Sequence, residues 1–103
     1  MSTQQQSDIA AEKFERLTRQ WMEETSHLSR LDAVYMNSAY QQIIGMGEPA
    51  LSYIFAALQK SRGRWFWALK AIIGHEPFAG QDGITPEQMR TAWLDWGREH
   101  GYV

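Results

Sequence analysis

The segment from Arg64 to Ile73 reads RWFWALKAII, and eight of its ten residues are apolar. Wound as a helix at about 100° per residue, these side chains surround the axis, so the segment has no polar face to turn to water. It must be buried on more than one side or meet a partner. Trp65, Phe66 and Trp67 alone span about 200° of arc, so they cannot all face one core. The rest of the chain has to supply the cover, and at least one of these three rings has to look elsewhere.

The pattern of the remaining chain predicts that the cover is helical. Ile9, Phe14, Leu17, Trp21 and Leu28 recur at helical spacing behind Ser7 or Asp8, either of which can cap a helix. This predicts an amphipathic helix over 8–27, preceded by a disordered polar tail, residues 1–7 (MSTQQQS), with nothing to bury. The stretch 29–37 has no sustained period and reads as a connection with at most one short turn of helix. Asn37 or Ser38 can cap the next, short helix, which holds Ala39, Tyr40, Ile43 and Ile44 and stops at Gly45-Met46-Gly47. There Gly45 is expected in the left-handed conformation, with Gly47 letting the following helix start close by. Glu48-Pro49 restarts the chain, because proline in a first turn loses no hydrogen bond and an acid complements the helix dipole. Leu51, Ile54, Phe55 and Leu58 then follow at helical spacing up to the Ser61-Arg62-Gly63 break.

Beyond Ile73, Gly74 ends the apolar helix and residues 75–84 (HEPFAGQDGI) read as an irregular loop. Thr85-Pro86-Glu87-Gln88 carries a capping box, in which Thr85 accepts from the Gln88 amide, Gln88 reaches back, and Pro86 takes the first helical position. A helix over 86–100 follows, with Met89, Trp93 and Trp96 on its apolar face. No stretch alternates with period two, so no sheet is expected. The expected fold is all-α: a compact bundle of four main helices plus one short helix, one domain over 8–103.

Composition narrows the function classes. A chain of 103 residues supplies one core and not two. Without cysteine there is no disulfide framework, thiolate metal site or thiol nucleophile, and the cytoplasm is the expected location. The polar start has no signal-peptide pattern, and no stretch is long or apolar enough to span a bilayer, so no membrane partner is expected. Ten Lys and Arg against twelve Asp and Glu leave a formal charge of −2, which gives no global attraction to nucleic acid. Phosphate-loop, dinucleotide and nucleophile-elbow motifs are missing, and His27, His75 and His100 have no metal-binding spacing. No cofactor and no metal are expected.

From Ala39 to Gly74 the order Tyr40, Ile43, Ile44, Gly45-Met46-Gly47, Pro49-Ala50-Leu51, Ile54, Leu58, a basic link, Trp67-Ala68-Leu69 and Ala71-Ile72-Ile73-Gly74 resembles one unit of a HEAT-type helical repeat. The resemblance implies a HEAT-like helix pair. No second copy recurs at a period of about 30 to 50 residues, so it implies shared helix-pair packing rather than a solenoid. The wider string, IIGMGEPAL through RWFWALKAIIGHEP to AWLDWGREHGYV, is similar to a group of small bacterial helical proteins with a WFWAL motif. That similarity implies no activity.

Three constellations remain as candidate sites. Trp65 or Phe66, rimmed by Arg62, Arg64 and Lys70, would anchor a protein interface, tryptophan being enriched among residues that dominate binding energy. Lys60, Arg62, Arg64 and Lys70 could instead meet phosphates, with neighbouring rings stacking on bases, although so few cations in an acidic chain favour a solvated loop. His75-Glu76 is the one place where an acid and a base stand together, but adjacent loop side chains diverge and no positioned partner is evident. The helix after Gly47 lacks the cations of a DNA-recognition helix. The apolar stripe of helix 8–27 would also allow a two-fold homodimer. The expectation is a non-enzymatic protein-protein interaction module, an adaptor, immunity or antitoxin-like partner or regulatory subunit, with a nucleic-acid-associated regulator as the alternative.

Overall fold

The computed structural model describes residues 3–28, 30–60 and 64–103, and for 3–8 and 31 the backbone path alone. Six helices and no strand occur among the described residues: α1 (Thr3–Thr25), α2 (Leu31–Tyr35), α3 (Ser38–Gly45), α4 (Glu48–Lys60), α5 (Phe66–Ile73) and α6 (Pro86–Glu99). The all-α expectation holds. The turn of helix inside 29–37 is α2, the sixth helix beyond the five expected. The chain divides into two compact units, Met1–Ala50 and Leu51–Val103, with the division inside α4. Sequence punctuation sits at Gly45–Gly47 and Gly63 instead, so nothing local marks that division.

In the first unit α1 packs on α3, and α2 touches both. Phe14, Leu17 and Trp21 form the buried stripe of α1, and Ala39, Tyr40 and Ile43 that of α3. The Trp21 indole lies 4.7 Å from the Tyr40 ring, and its Nε1 donates to the Val34 carbonyl at 3.0 Å. A buried indole N–H is thereby satisfied, which fixes α2 against α1. The Thr25 hydroxyl, also buried, donates to Trp21 O at 2.7 Å. Asn37 caps α3 as expected, its Oδ1 accepting from Ala39 N at 2.9 Å and Tyr40 N at 3.3 Å, while Nδ2 donates to Glu24 Oε1 at 3.0 Å. One side chain therefore caps a helix and ties it to α1.

Three local expectations are corrected here. α1 starts at Thr3, so residues 3–7 of the expected tail have helical backbone; glutamine is an adequate helix former, and an established helix extends more easily than a new one nucleates. Met1 and Ser2 lie outside the described residues. Ile9, read as part of the apolar face, is exposed. Gly45 stays helical, with Met46 N donating to both Gln42 O and Ile43 O, and it is Gly47, at φ +70°, that turns the chain. That φ is open to glycine at no steric cost, and Gly47 O then accepts from Ala50 N at 3.0 Å in the first turn of α4.

In the second unit Leu51, Ile54, Phe55 and Leu58 are the buried face of α4. The Phe55 ring stacks on Trp96 at 6.0 Å and on Tyr102 at 5.7 Å. It lies so close to Gly97 of α6 that a Cβ there would fall 2.8 Å from the ring. Glycine inside a helix costs about 1 kcal/mol against alanine, so Gly97 trades helix propensity for the seating of a ring. The last carbonyls of α4 are met from α6: Arg90 Nε donates to Leu58 O at 3.0 Å and its Nη2 to Gln59 O at 2.8 Å. The capping box of α6 is present in full, with Gln88 N donating to Thr85 Oγ1 at 3.1 Å and Thr85 N to Gln88 Oε1 at 2.9 Å. Gly74 closes α5, its N–H donating to Lys70 O at 2.8 Å.

Candidate interaction surface

α5 resolves which of its rings looks outward. Trp65 stands at the N-cap, before the helix proper, and folds inward until 1% of it remains exposed. Ala68 and Leu69 are buried beside it, and Phe66, Ile72 and Ile73 are half-buried. Trp67 is 47% exposed, and with Lys70 and Ala71 it forms the outer stripe one helical turn long. The requirement that one ring of the trio look elsewhere is met, but the assignment is corrected. Trp65 is buried, Phe66 is half-buried, and Trp67 is the exposed ring of the three.

Of the expected rim, Arg62 lies outside the described residues. Arg64, one turn before Trp67, is exposed, and Lys70, one turn after, is exposed with Nζ 3.5 Å from Glu76 Oε1. Lys70 is exposed and Glu76 half-buried, and surface pairs of this kind contribute about 0 to 1 kcal/mol. Arg64 and Lys70 are thus exposed cations three residues before and three after Trp67. Lys60 is also exposed, in the last turn of α4. Arg90 adds a cation at that helix end, but its guanidinium is engaged by Leu58 O and Gln59 O. The sequence held no sign of this, since the contact joins residues 31 and 32 positions apart.

His75 and Glu76 diverge. Glu76 turns to Lys70, and the His75 ring meets the edge of Trp96 at 6.1 Å. No acid and base converge at that loop. His100 stacks flat on Trp96, centroids 3.8 Å apart, with Nδ1 2.8 Å from Trp96 O. Among the described residues no group of three or more His, Asp or Glu is placed to hold a metal ion. No helix among them is long and apolar enough to cross a membrane. The stripe offered for a homodimer through helix 8–27 is used inside the chain: Phe14, Leu17 and Trp21 are at most 7% exposed. The outer side of α1 instead carries Ile9, Glu12, Lys13, Arg16 and Arg19.

A second surface feature borders α6. An open groove of about 580 Å3 runs between the 81–84 loop and the outer stripe of the helix, with Ile84 and Ala92 half-buried in it and Asp82, Glu87 and Asp95 exposed around it. Asp95 pairs with Arg98 at 2.9 Å in solvent. Helical spacing puts Glu87, Thr91 and Asp95 on one stripe, but the loop that forms the other wall has no periodicity, which hid the groove from sequence reasoning. Comparison with protein-family models, curated proteins and solved structures finds no match to this chain.

Proposed function

We propose that this chain is a non-enzymatic protein-interaction module that binds through the outer face of α5, with Trp67 as the anchor and Arg64 and Lys70 as its rim. The observation that carries this reading is the half-exposed Trp67 indole on a helix whose other rings are buried or half-buried. A large ring held by a rigid element loses little conformational freedom on contact and gains substantial area burial, which is why tryptophan dominates binding hot spots. The HEAT-like phrase of residues 39–74 belongs to the same proposal, since stacked helix pairs of that type serve as binding scaffolds. A cytoplasmic setting fits it, cysteine being absent from the chain.

The test is affinity capture from the native host lysate, with and without nuclease, using the full chain and its Trp67→Ala variant as baits. A protein held by the wild type and lost with Trp67→Ala supports the reading, provided both baits have the same circular dichroism. Retention that disappears with nuclease assigns the Arg64–Lys70 face to nucleic acid instead. Retention indifferent to Trp67→Ala removes α5 as the binding face.

A further inference from the structure

We propose that residues 75–84 are a lid, latched on α6 by the Phe78 ring, which opens without unfolding the helices and bares the buried indole N–H of Trp93. The loop is attached to its unit at few points. Phe78 is its one buried residue, at 6% exposure, while Glu76, Pro77 and Ile84 are half-buried and the rest are exposed. The Phe78 ring meets Trp93 edge-on at 6.1 Å. Two further links, Glu76 to Lys70 at 3.5 Å and His75 to the edge of Trp96 at 6.1 Å, each have an exposed partner. Apart from that ion pair, no hydrogen bond joins residues 75–84 to a helix among the described residues.

The loop is also built to move as a piece. Ala79 N donates to Glu76 O and Gln81 N to Phe78 O, each at 3.1 Å, so its turns are closed by its own bonds and survive a swing of the whole segment. Gly74 at φ +96° and Gly83 at φ +70° stand at its two ends, where glycine absorbs a change of backbone angle without a Cβ in the way.

Beneath the latch lies a reason for opening to be easy. Trp93 is fully buried, its two ring contacts are Trp96 of its own helix and Phe78 of the loop, and its Nε1 has no hydrogen-bond partner. Nearly every buried donor finds a partner, and one left unpaired forfeits the hydration it had in the unfolded chain. Opening restores that hydration. The burial of Phe78 lost on opening is therefore partly offset, which sets the opening of the lid below the unfolding of α6 in free energy.

Hydrogen exchange of the full chain, followed by NMR, tests this on two protons of one residue, the Trp93 indole N–H and the Trp93 backbone N–H inside α6. Each rate is referred to its own intrinsic value to give a protection factor. The indole should be protected less than the amide by about tenfold or more, the scale set by one unpaired buried donor. Its protection should hardly change in low urea, because lid opening exposes little surface, whereas that of the amide should fall steeply. Phe78→Ala releases the latch. The indole should then exchange near its intrinsic rate, and the amide protection should fall by no more than the wild-type indole factor, since a lid that is already open has nothing further to lose.

Equal protection and equal urea dependence of the two protons in the wild type would overturn the lid, because residues 75–84 would then come away only with α6. Collapse of both protections in Phe78→Ala, or failure of that variant to fold, would make Phe78 a core residue rather than a latch. An indole that stays protected in Phe78→Ala would mean that another element covers it, and the lid would fall on that result as well.

Discussion

The two units hold their aromatic rings in different ways. In residues 1–50 the packing is latched by polar bonds: the Trp21 N–H meets Val34 O, Thr25 back-bonds to Trp21 O, and Asn37 joins the start of α3 to Glu24. In residues 51–103 ring packs on ring. Phe55, Trp96 and Tyr102 stack nearly parallel, and Trp93 meets Phe78 and Trp96 edge-on at 6.1 Å each. The buried Trp93 Nε1 has no hydrogen-bond partner, in contrast to the indole of Trp21. Among the described residues every Phe, Trp and Tyr ring of the first unit is buried or half-buried, whereas in the second Trp67 is 47% exposed. A half-exposed ring on a short rigid helix is what places the proposed binding face in the second unit.

The largest effects test that division of roles. Trp21→Ala and Trp65→Ala each remove a ring that is at most 2% exposed and should cost about 3 to 5 kcal/mol in denaturant unfolding. Trp67→Ala should cost under about 1 kcal/mol, because a half-exposed ring gives up less and alanine is the better helix former. Equal losses at Trp65 and Trp67 would make α5 a core helix throughout and end the distinction between the units. Hydrogen exchange resolved by residue reads each unit separately and shows which one each variant loosens.

The choice among the three rings shows where sequence reasoning stopped. Periodicity correctly required that Trp65, Phe66 and Trp67 not all face inward. It could not choose among them, and it is Trp65, at the N-cap before α5 begins, that is buried. The Thr85 box and the Asn37 cap were legible because a cap is a contact among near neighbours. The Arg90 fork on the end of α4 was not, because nothing near Arg90 in sequence announces carbonyls more than thirty residues away. Gly97 lies between these cases: an isolated glycine in a helical pattern is a readable sign of close packing, but its partner Phe55 is fixed only by the fold.

Gly97→Ala sharpens the ring-on-ring half of the comparison. The added methyl meets Phe55 at 2.8 Å, which costs about 1 to 3 kcal/mol as overpacking and is offset by about 1 kcal/mol of helix propensity. A net loss of about 1 kcal/mol is expected, and it should vanish or reverse in a Phe55→Leu background. A double-mutant cycle measures that coupling. Strict additivity would mean that Phe55 yields freely, and the stack would then be looser than its near-parallel rings imply.

The smallest effects come from the caps, and they sharpen the polar half. Thr85→Ala removes one side-chain cap from α6 and should cost about 1 kcal/mol. Asn37→Ala removes the cap of α3 and also the bond to Glu24, so its loss should exceed that of Thr85→Ala by a few tenths of a kcal/mol. The excess should disappear when Glu24 is already alanine, because the Asn37 amide then has no carboxylate to reach. If the excess persists without Glu24, the Asn37 contribution is capping alone. The latch between α1 and α3 would then rest on Trp21, Tyr40 and the bond to Val34 O, and the first unit would be held by its rings as the second is.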